Sequence, residues 1–235
     1  MNPVGFVAAI VALILGIVGG ATPSTPAQRV GPHLEIADQL GDEGGAGQLI
    51  VVEAASATDT WAQLQAFDRV DDRWVPKFDP VEARIGRSGV SADRSEGDGT
   101  TPAGTFTLTE AFGNGPDPGS GLPYRPVHDQ DYWVGDSSSP YYNTWQSGPP
   151  NGRFGYAEKL WTMPESYRHV VVIDYNRFPV VPGRGSAIFL HVWNENATSG
   201  CVAIDLDRLV EIMRWLDPAK QPKIAIGTDD QLVTA

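Results

Sequence analysis

The 235-residue sequence predicts a mainly β domain, a sandwich or open barrel of short strands with one amphipathic helix near the C-terminal end. Three observations support this class. Short runs of β-branched and aromatic residues number about eight, whereas helical patterns number one or two. Only one apolar stripe has clear helical spacing, and long loops rich in Gly, Pro and aromatic residues separate several of the strands. A doubly wound parallel sheet is excluded because helices do not alternate with the strands.

The strands are predicted from apolar alternation and from the turn residues that bound it. The first is Gln48–Glu53, and residues 60–68 alternate in the manner of an edge strand. A turn at residues 71–73 leads to an extended piece at 74–78. Further strands are predicted at residues 105–109, 168–175, 187–192, 202–205 and 222–226.

The single clear helix follows residue 205. Asp205 or Asp207 can cap its first turn, and Pro218 ends it. Its apolar stripe consists of Leu206, Leu209, Val210, Met213 and Leu216. Residues 113–126 and 135–155 form long loops, and loops of this length usually serve a site in a compact domain.

The chain divides into three parts by composition. Residues 1–21 are predicted to be a signal peptide or an N-terminal anchor, because the apolar run at 4–18 is shorter than the roughly 20 residues of a membrane span. No Lys or Arg precedes that run, which leaves the uncleaved anchor open. Residues 22–47 are predicted to be a flexible linker and 48–235 the folded domain. We therefore expect a secreted or cell-wall domain that contacts a membrane only through an uncleaved N-terminus.

Charge and histidine spacing exclude two classes of partner. The formal net charge is −12, which repels phosphate backbones and argues against nucleic acid. The four histidines are scattered, without a His-x-His or His-Glu-x-x-His pattern. We expect neither a metal site nor a cofactor.

Cys201 is the only cysteine, so it has no internal disulfide partner. A single cysteine in an exported chain is either a free thiol with a function or a buried small apolar residue. His191 lies ten positions earlier, at the end of a predicted strand. If the strands at 187–192 and 202–205 are neighbours, the imidazole and the thiol could meet at one end of a sheet and act as base and nucleophile. The alternative is a strand-end histidine and a buried cysteine that never meet.

Small residues precede the cysteine. Ser199 and Gly200 give a tight approach, in which the backbone N–H of Cys201, with that of Gly200, can point at a developing oxyanion. Ser199 and Gly200 are therefore candidate site-shaping residues.

An aromatic loop offers a candidate substrate cleft. Aromatic and amide side chains suit peptide and sugar recognition, and this loop supplies Tyr141, Tyr142, Asn143 and Trp145. The alternative is a large ordered loop that packs against itself.

Two motifs resemble the L,D-transpeptidase catalytic domain family, also called YkuD-like, of bacterial cell-wall enzymes. They are Asp98-Gly-Thr-Thr-Pro-Ala-Gly-Thr-Phe106 and, after His191, Thr198-Ser-Gly-Cys201. The resemblance covers roughly residues 48–227. Turn chemistry alone favours a structural role for residues 98–106. The chain departs from the family in a shorter His–Cys spacing, in Ser199 where the family has a second histidine, and in Ala203 where it commonly has arginine, as in a divergent, actinobacterial-type member.

The resemblance implies an exported cysteine acyltransferase that acts on peptidoglycan stem peptides. Cys201 would form a thioester, which an amine resolves into a 3→3 cross-link or water resolves into a trimmed stem. Carbapenem-type inhibitors are expected ligands. Two alternatives stay open: a sortase-like transpeptidase, with Arg208 as its arginine, and an inactive cell-wall-binding module of the same fold.

Overall fold

The computed structural model describes residues 33–40 and 44–233. The predicted signal peptide or anchor lies outside the described residues, as does part of the predicted linker. No helix in the described ranges is long and apolar enough to cross a membrane.

The strands are β1 Gln48–Glu53, β2 Trp61–Val70, β3 Arg73–Pro76, β4 Val81–Arg84, β5 Val90–Ser91, β6 Thr101–Pro102, β7 Gly104–Gly113, β8 Tyr124–Pro126, β9 Asp131–Val134, β10 Trp145–Ser147, β11 Ala157–Lys159, β12 Val170–Ile173, β13 Phe189–Val192, β14 Val202–Ile204 and β15 Lys223–Gly227.

Eight of these strands close into a barrel. The order is β1, β15, β7, β12, β13, β14, β4 and β2, and β2 pairs with β1 to complete the ring. Most neighbours are antiparallel, but β1–β15 and β13–β14 are parallel. The barrel alternative of the predicted fold class is confirmed, and the pairing of β1 with β2 closes it. Closure matters because it leaves no free sheet edge along this ring.

The barrel interior is filled by the apolar residues that alternate along the strands. Every second side chain points inward, so β-branched and leucine residues from opposite walls meet there. The helix α2, Leu206–Trp215, adds buried side chains to the same cluster. Asp205 caps α2 by accepting a hydrogen bond from the Arg208 N–H at 2.9 Å, so the predicted helix and cap are confirmed.

A second layer covers the outer face of β12 and β13. This layer is the three-stranded sheet β10–β9–β11, of which β10 lies within the predicted loop 135–155 and β9 and β11 lie just outside it. Its Trp133 packs edge-on against Phe189 of β13 with ring centroids 4.9 Å apart. Phe112 and Tyr167 complete this aromatic cluster. The layer therefore forms a wall beside the strand that carries His191.

Helix α1, His33–Leu40, lies within the predicted linker. Its Ile36 and Ala37 are buried in a cluster with Phe67 and Trp74 from the barrel wall. Helix α1 is therefore packed on the domain. The boundaries of the linker, residues 22–47, stay a prediction. A further short helix, α3 Asp229–Val233, contributes Leu232 to the same cluster.

The packing of α1 is testable by removing its buried side chain. We expect Ile36→Ala to lower the free energy of unfolding by about 2–4 kcal/mol, because a buried isoleucine leaves a cavity when truncated. Asp38→Ala on the exposed side of the same helix is the matched control. Urea unfolding of both variants measures the difference. Equal stability of the two variants would mean that residues 33–40 are a free tether.

Candidate active site

The parallel pair β13 and β14 positions His191 and Cys201. In its register Leu190 lies opposite Val202 and His191 opposite Ala203. Leu190 and Val202 belong to the barrel interior, so His191 points to the outer face, and Cys201, one residue before β14, points there too. Strand spacing places the two Cα atoms about 8 Å apart. The structure therefore brings the predicted pair to one end of one sheet.

Both side chains line one cavity of about 410 Å³. Each residue is only 7% exposed. The cavity lies between the barrel and the outer layer, and its other ionisable lining residues are Arg87, Arg94, Glu96, Tyr156, Glu158 and Tyr167. A thiol, an imidazole, two guanidinium groups and two carboxyl groups thus line one cavity.

A tight turn holds Cys201 in place. Gly200 has a φ of 143° and an added Cβ would lie 2.8 Å from the Thr100 carbonyl oxygen, so the turn requires glycine. The Thr198 hydroxyl donates to the Cys201 carbonyl oxygen at 2.7 Å and accepts from the Gly200 N–H at 3.1 Å. The Gly200 N–H is therefore already engaged, which leaves the Cys201 N–H as the candidate oxyanion donor.

The motif at residues 98–106 contacts the backbone of this turn through Thr101. The Thr101 hydroxyl accepts a hydrogen bond from the Gly86 N–H at 2.8 Å and lies 3.4 Å from the Cys201 carbonyl oxygen. Gly86 itself forms an isolated bridge with Thr198. The predicted structural role of this motif thus has a physical basis, because the motif anchors the backbone around Thr198 and Cys201.

Burial keeps the thiol and the imidazole uncharged. Desolvation, reinforced by the Glu158 carboxylate, raises the pKa of Cys201 to about 12. Desolvation lowers the pKa of His191 to about 4, against hydrogen bonds to backbone at Val192 and Ser166 that favour the protonated ring. At neutral pH the imidazole is therefore a free base and the cysteine a thiol.

The hydrogen bonds of Cys201 and His191 go to backbone carbonyl groups and not to each other. The Cys201 thiol donates to the Ala187 carbonyl oxygen at 3.3 Å. His191 Nδ1 lies 2.8 Å from the Val192 carbonyl oxygen, which can only accept, so Nδ1 carries the proton and Nε2 the lone pair. The thiol must therefore release its bond to Ala187 before the imidazole can take its proton. Tyr167 packs edge-on against the imidazole with ring centroids 5.5 Å apart and fixes the ring.

Two carboxylates form the wall opposite the thiol. Glu158 accepts a hydrogen bond from the Tyr167 hydroxyl at 2.6 Å. Desolvation and the charge of Glu96 raise the pKa of Glu158 to about 7, while the Tyr167 bond acts in the opposite direction. Glu96 accepts from the Ser186 hydroxyl at 2.7 Å and from the Tyr142 hydroxyl. Sequence patterns gave no signal for these carboxylates, since both lie in segments without periodicity.

Two arginines lie on the loop side of the cavity. Arg87 is exposed and donates to the Ser199 hydroxyl at 3.0 Å and to the Gly97 carbonyl oxygen at 3.1 Å. Ser199 is thus an exposed partner of Arg87 at the rim. Arg94 is 2% exposed and lies beside Gly200. No sequence pattern indicates that either arginine lines this cavity. Arg94 is buried only because segments far apart in the chain pack together around it.

The predicted aromatic cleft lies elsewhere. None of Tyr141, Tyr142, Asn143 and Trp145 lines the cavity. Asn143 is buried and accepts hydrogen bonds from the Trp133 indole at 2.8 Å and the Ala187 N–H at 3.1 Å. Asn143 thereby supports the start of β13, and Tyr142 orients Glu96. The geometry favours the alternative in which this loop packs against itself.

The described residues contain no group of three or more His, Cys, Asp or Glu side chains suited to a metal ion. The arrangement supports proton transfer and nucleophilic attack by the side chains of the protein itself. That no cofactor is needed remains an expectation.

The fold and the site define a closed barrel domain in which one cysteine and one histidine line the same cavity. The model of the L,D-transpeptidase catalytic domain matches residues 60–226, and the chain belongs to this family. The crystal structure of the helical cell shape determining protein Pgp2 from Campylobacter jejuni is similar, with 14% sequence identity and a TM-score of 0.43. The match covers 85% of this chain and 59% of that one. No curated protein matches the chain.

The turn before the nucleophile gives a stability prediction. Gly200→Ala should cost about 2–4 kcal/mol of unfolding free energy, because backbone strain adds to the clash with Thr100. Gly148→Ala is the control, since Gly148 also has a positive φ but has no atom within 4 Å of an added Cβ. Chemical unfolding compares them. A cost for Gly200→Ala no larger than that for the control would contradict the tight turn.

Glu158 gives a prediction about pH. Its pKa of about 7 in the folded protein lies above the ordinary glutamate value of 4.5, so the folded state binds the proton more tightly and stability falls as pH rises through this window. Glu158→Gln removes that loss. We expect the variant to gain on the order of 2 kcal/mol over the wild type between about pH 4.5 and pH 8. Thermal unfolding across this range measures the gain, with the exposed Glu165→Gln as control. A gain independent of pH would contradict the raised pKa.

Proposed function

We propose that the protein is a cell-wall acyltransferase in which Cys201 attacks peptidoglycan stem peptides. The observation that carries this proposal is that Cys201 and His191 share one face of the β13–β14 pair and one cavity. Membership of the L,D-transpeptidase catalytic domain family supports the reaction class and an extracytoplasmic place of action.

The first half-reaction forms a thioester. His191 Nε2 takes the Cys201 proton, and the thiolate attacks the carbonyl carbon of the third stem residue. The Cys201 N–H donates to the oxyanion of the tetrahedral intermediate. His191 then returns the proton to the nitrogen of the terminal D-residue, the C–N bond breaks, and that residue leaves.

The second half-reaction resolves the thioester. An amine of a neighbouring stem attacks the thioester carbon, gives up a proton to His191, and forms a 3→3 cross-link as the thiol is regenerated. Water in place of the amine gives a trimmed stem. Glu96 and Glu158 support the first outcome, because carboxylates opposite the thiol favour the approach of a cationic amine.

The test uses a carbapenem as an acylating probe and intact mass as the readout. Because Cys201 is the only cysteine, a covalent adduct that Cys201→Ala abolishes assigns the nucleophile. We expect His191→Gln to slow adduct formation by about 10²-fold or more, since the general base is lost. His128→Gln, at an exposed histidine outside the cavity, is the matched control.

Incubation with muropeptides then separates the two outcomes of the second step. Cross-linked dimers support transpeptidation and shortened monomers support trimming. The absence of any adduct on folded wild-type protein would overturn the enzymatic proposal and favour a wall-binding module.

A further inference from the structure

Arg94 is a buried cation whose hydrogen-bond donors are not satisfied. Its side chain is 2% exposed, and both Nε and Nη1 lack a hydrogen-bond partner in the part of the chain that the structure describes. Burying a guanidinium group is costly unless an anion compensates it. A negative charge that forms nearby would compensate such a cation.

The guanidinium lies next to the nucleophile. A Cβ added to Gly200 would stand 3.1 Å from Arg94 Nη1, and Gly200 directly precedes Cys201. A Cβ added to Gly185 would stand 2.8 Å from Arg94 Cζ. Two glycines at positive φ therefore make the space through which the arginine reaches the cavity that holds the thiol.

The other neighbours of Arg94 compensate its charge only in part. Asp98 Oδ1 lies 3.9 Å from Arg94 Nε, beyond hydrogen-bond length. The Asp98 carboxylate instead accepts from the Ser95 N–H at 2.6 Å and from the Thr100 N–H at 2.8 Å. The Tyr175 ring lies 5.5 Å from Arg94 Cζ and adds a weak cation–π contact.

The remaining charged and titratable groups around Cys201 do not stabilise a thiolate. Glu158 disfavours the thiolate, His191 is neutral, and Arg87 is exposed and engaged with Ser199 and Gly97. These groups facing the cavity are Arg87, Glu96, Tyr156, Glu158, Tyr167 and His191. Two groups act in the opposite sense: the hydrogen bond from the Phe189 backbone lowers the pKa of Cys201, and the positive charge of Arg94 lowers it further.

We propose that Arg94 is a positioning residue that supplies the positive charge for the Cys201 thiolate once His191 has taken the proton. The same charge stays beside the reacting carbonyl and offsets the oxyanion in each tetrahedral intermediate. This inference rests on the reactive thiol of the proposed function, but its test does not need turnover.

The test is the rate of alkylation of Cys201 by iodoacetamide, a neutral electrophile, followed by intact mass across about pH 7 to 9. Below the thiol midpoint this rate is proportional to the thiolate fraction. Arg94→Gln should raise the midpoint by about 1 unit and so slow alkylation about tenfold at each pH. Arg94→Lys, which keeps the charge, should restore most of the rate. Circular dichroism confirms that each variant is folded.

Two further variants make the result decisive. Arg87→Gln removes a charge from the same cavity at the exposed rim, and it should slow alkylation by less than Arg94→Gln does. Asp98→Asn removes the acidic neighbour of Arg94 and should raise the alkylation rate, because the guanidinium is then less compensated. This opposite change can be measured even where Arg94→Gln does not fold. An unchanged or slower rate in Asp98→Asn, or equal effects of the two arginine variants, would overturn the proposal.

The carbapenem assay on the same proteins separates this inference from the proposed function. A slower alkylation in Arg94→Gln together with no acyl adduct on the wild type would retain the Arg94 role and reject the acyltransferase. A wild-type adduct with no change of alkylation rate in Arg94→Gln would reject the Arg94 role alone.

Discussion

The site depends on the parallel pairing of β13 with β14 within a mostly antiparallel barrel. A parallel neighbour begins at the same end of the sheet, so the residue before β14 lies beside the start of β13. This is why the Cys201 thiol bonds to Ala187 and packs in the cluster of Phe189, while His191 stands two residues further along the same face. If β14 ran antiparallel to β13, Cys201 would lie at the opposite end of β13.

The outer layer turns this surface pair into an enclosed site. The sheet β10–β9–β11 covers β13 with aromatic rings and places Glu158 opposite the thiol. Desolvation then raises the pKa of Cys201 and lowers that of His191. The pair rests in its uncharged form, because a thiolate at Cys201 is disfavoured by desolvation and by Glu158. A buried cation close to the thiol lowers the free energy of the thiolate.

Local patterns predicted much of the fold and the core of the site. Alternation located most barrel strands, Asp205 signalled the helix cap, and the lone cysteine after a strand-end histidine indicated the pair. What local patterns missed depends on long-range contacts. The closure of β1 on β2, the packing of Ile36 and the burial of Arg94 bring together segments far apart in the chain. The aromatic residues near Tyr142 were visible in sequence, but their direction was not, because it follows from hydrogen bonds to Glu96 and to the start of β13.

Two of the three departures from the family pattern, Ser199 and Ala203, have a physical explanation in this geometry. At position 199 the chain has a serine that is exposed and bound to Arg87, while the backbone of Cys201 is held by the hydroxyls of Thr198 and Thr101. A second imidazole is therefore not needed to fix the turn. Ala203 is buried opposite His191, where a long side chain would compete with the imidazole for space. A cation that reaches the thiol from the Arg94 side avoids this competition, since it enters past Gly185 and Gly200 and leaves the face next to His191 open.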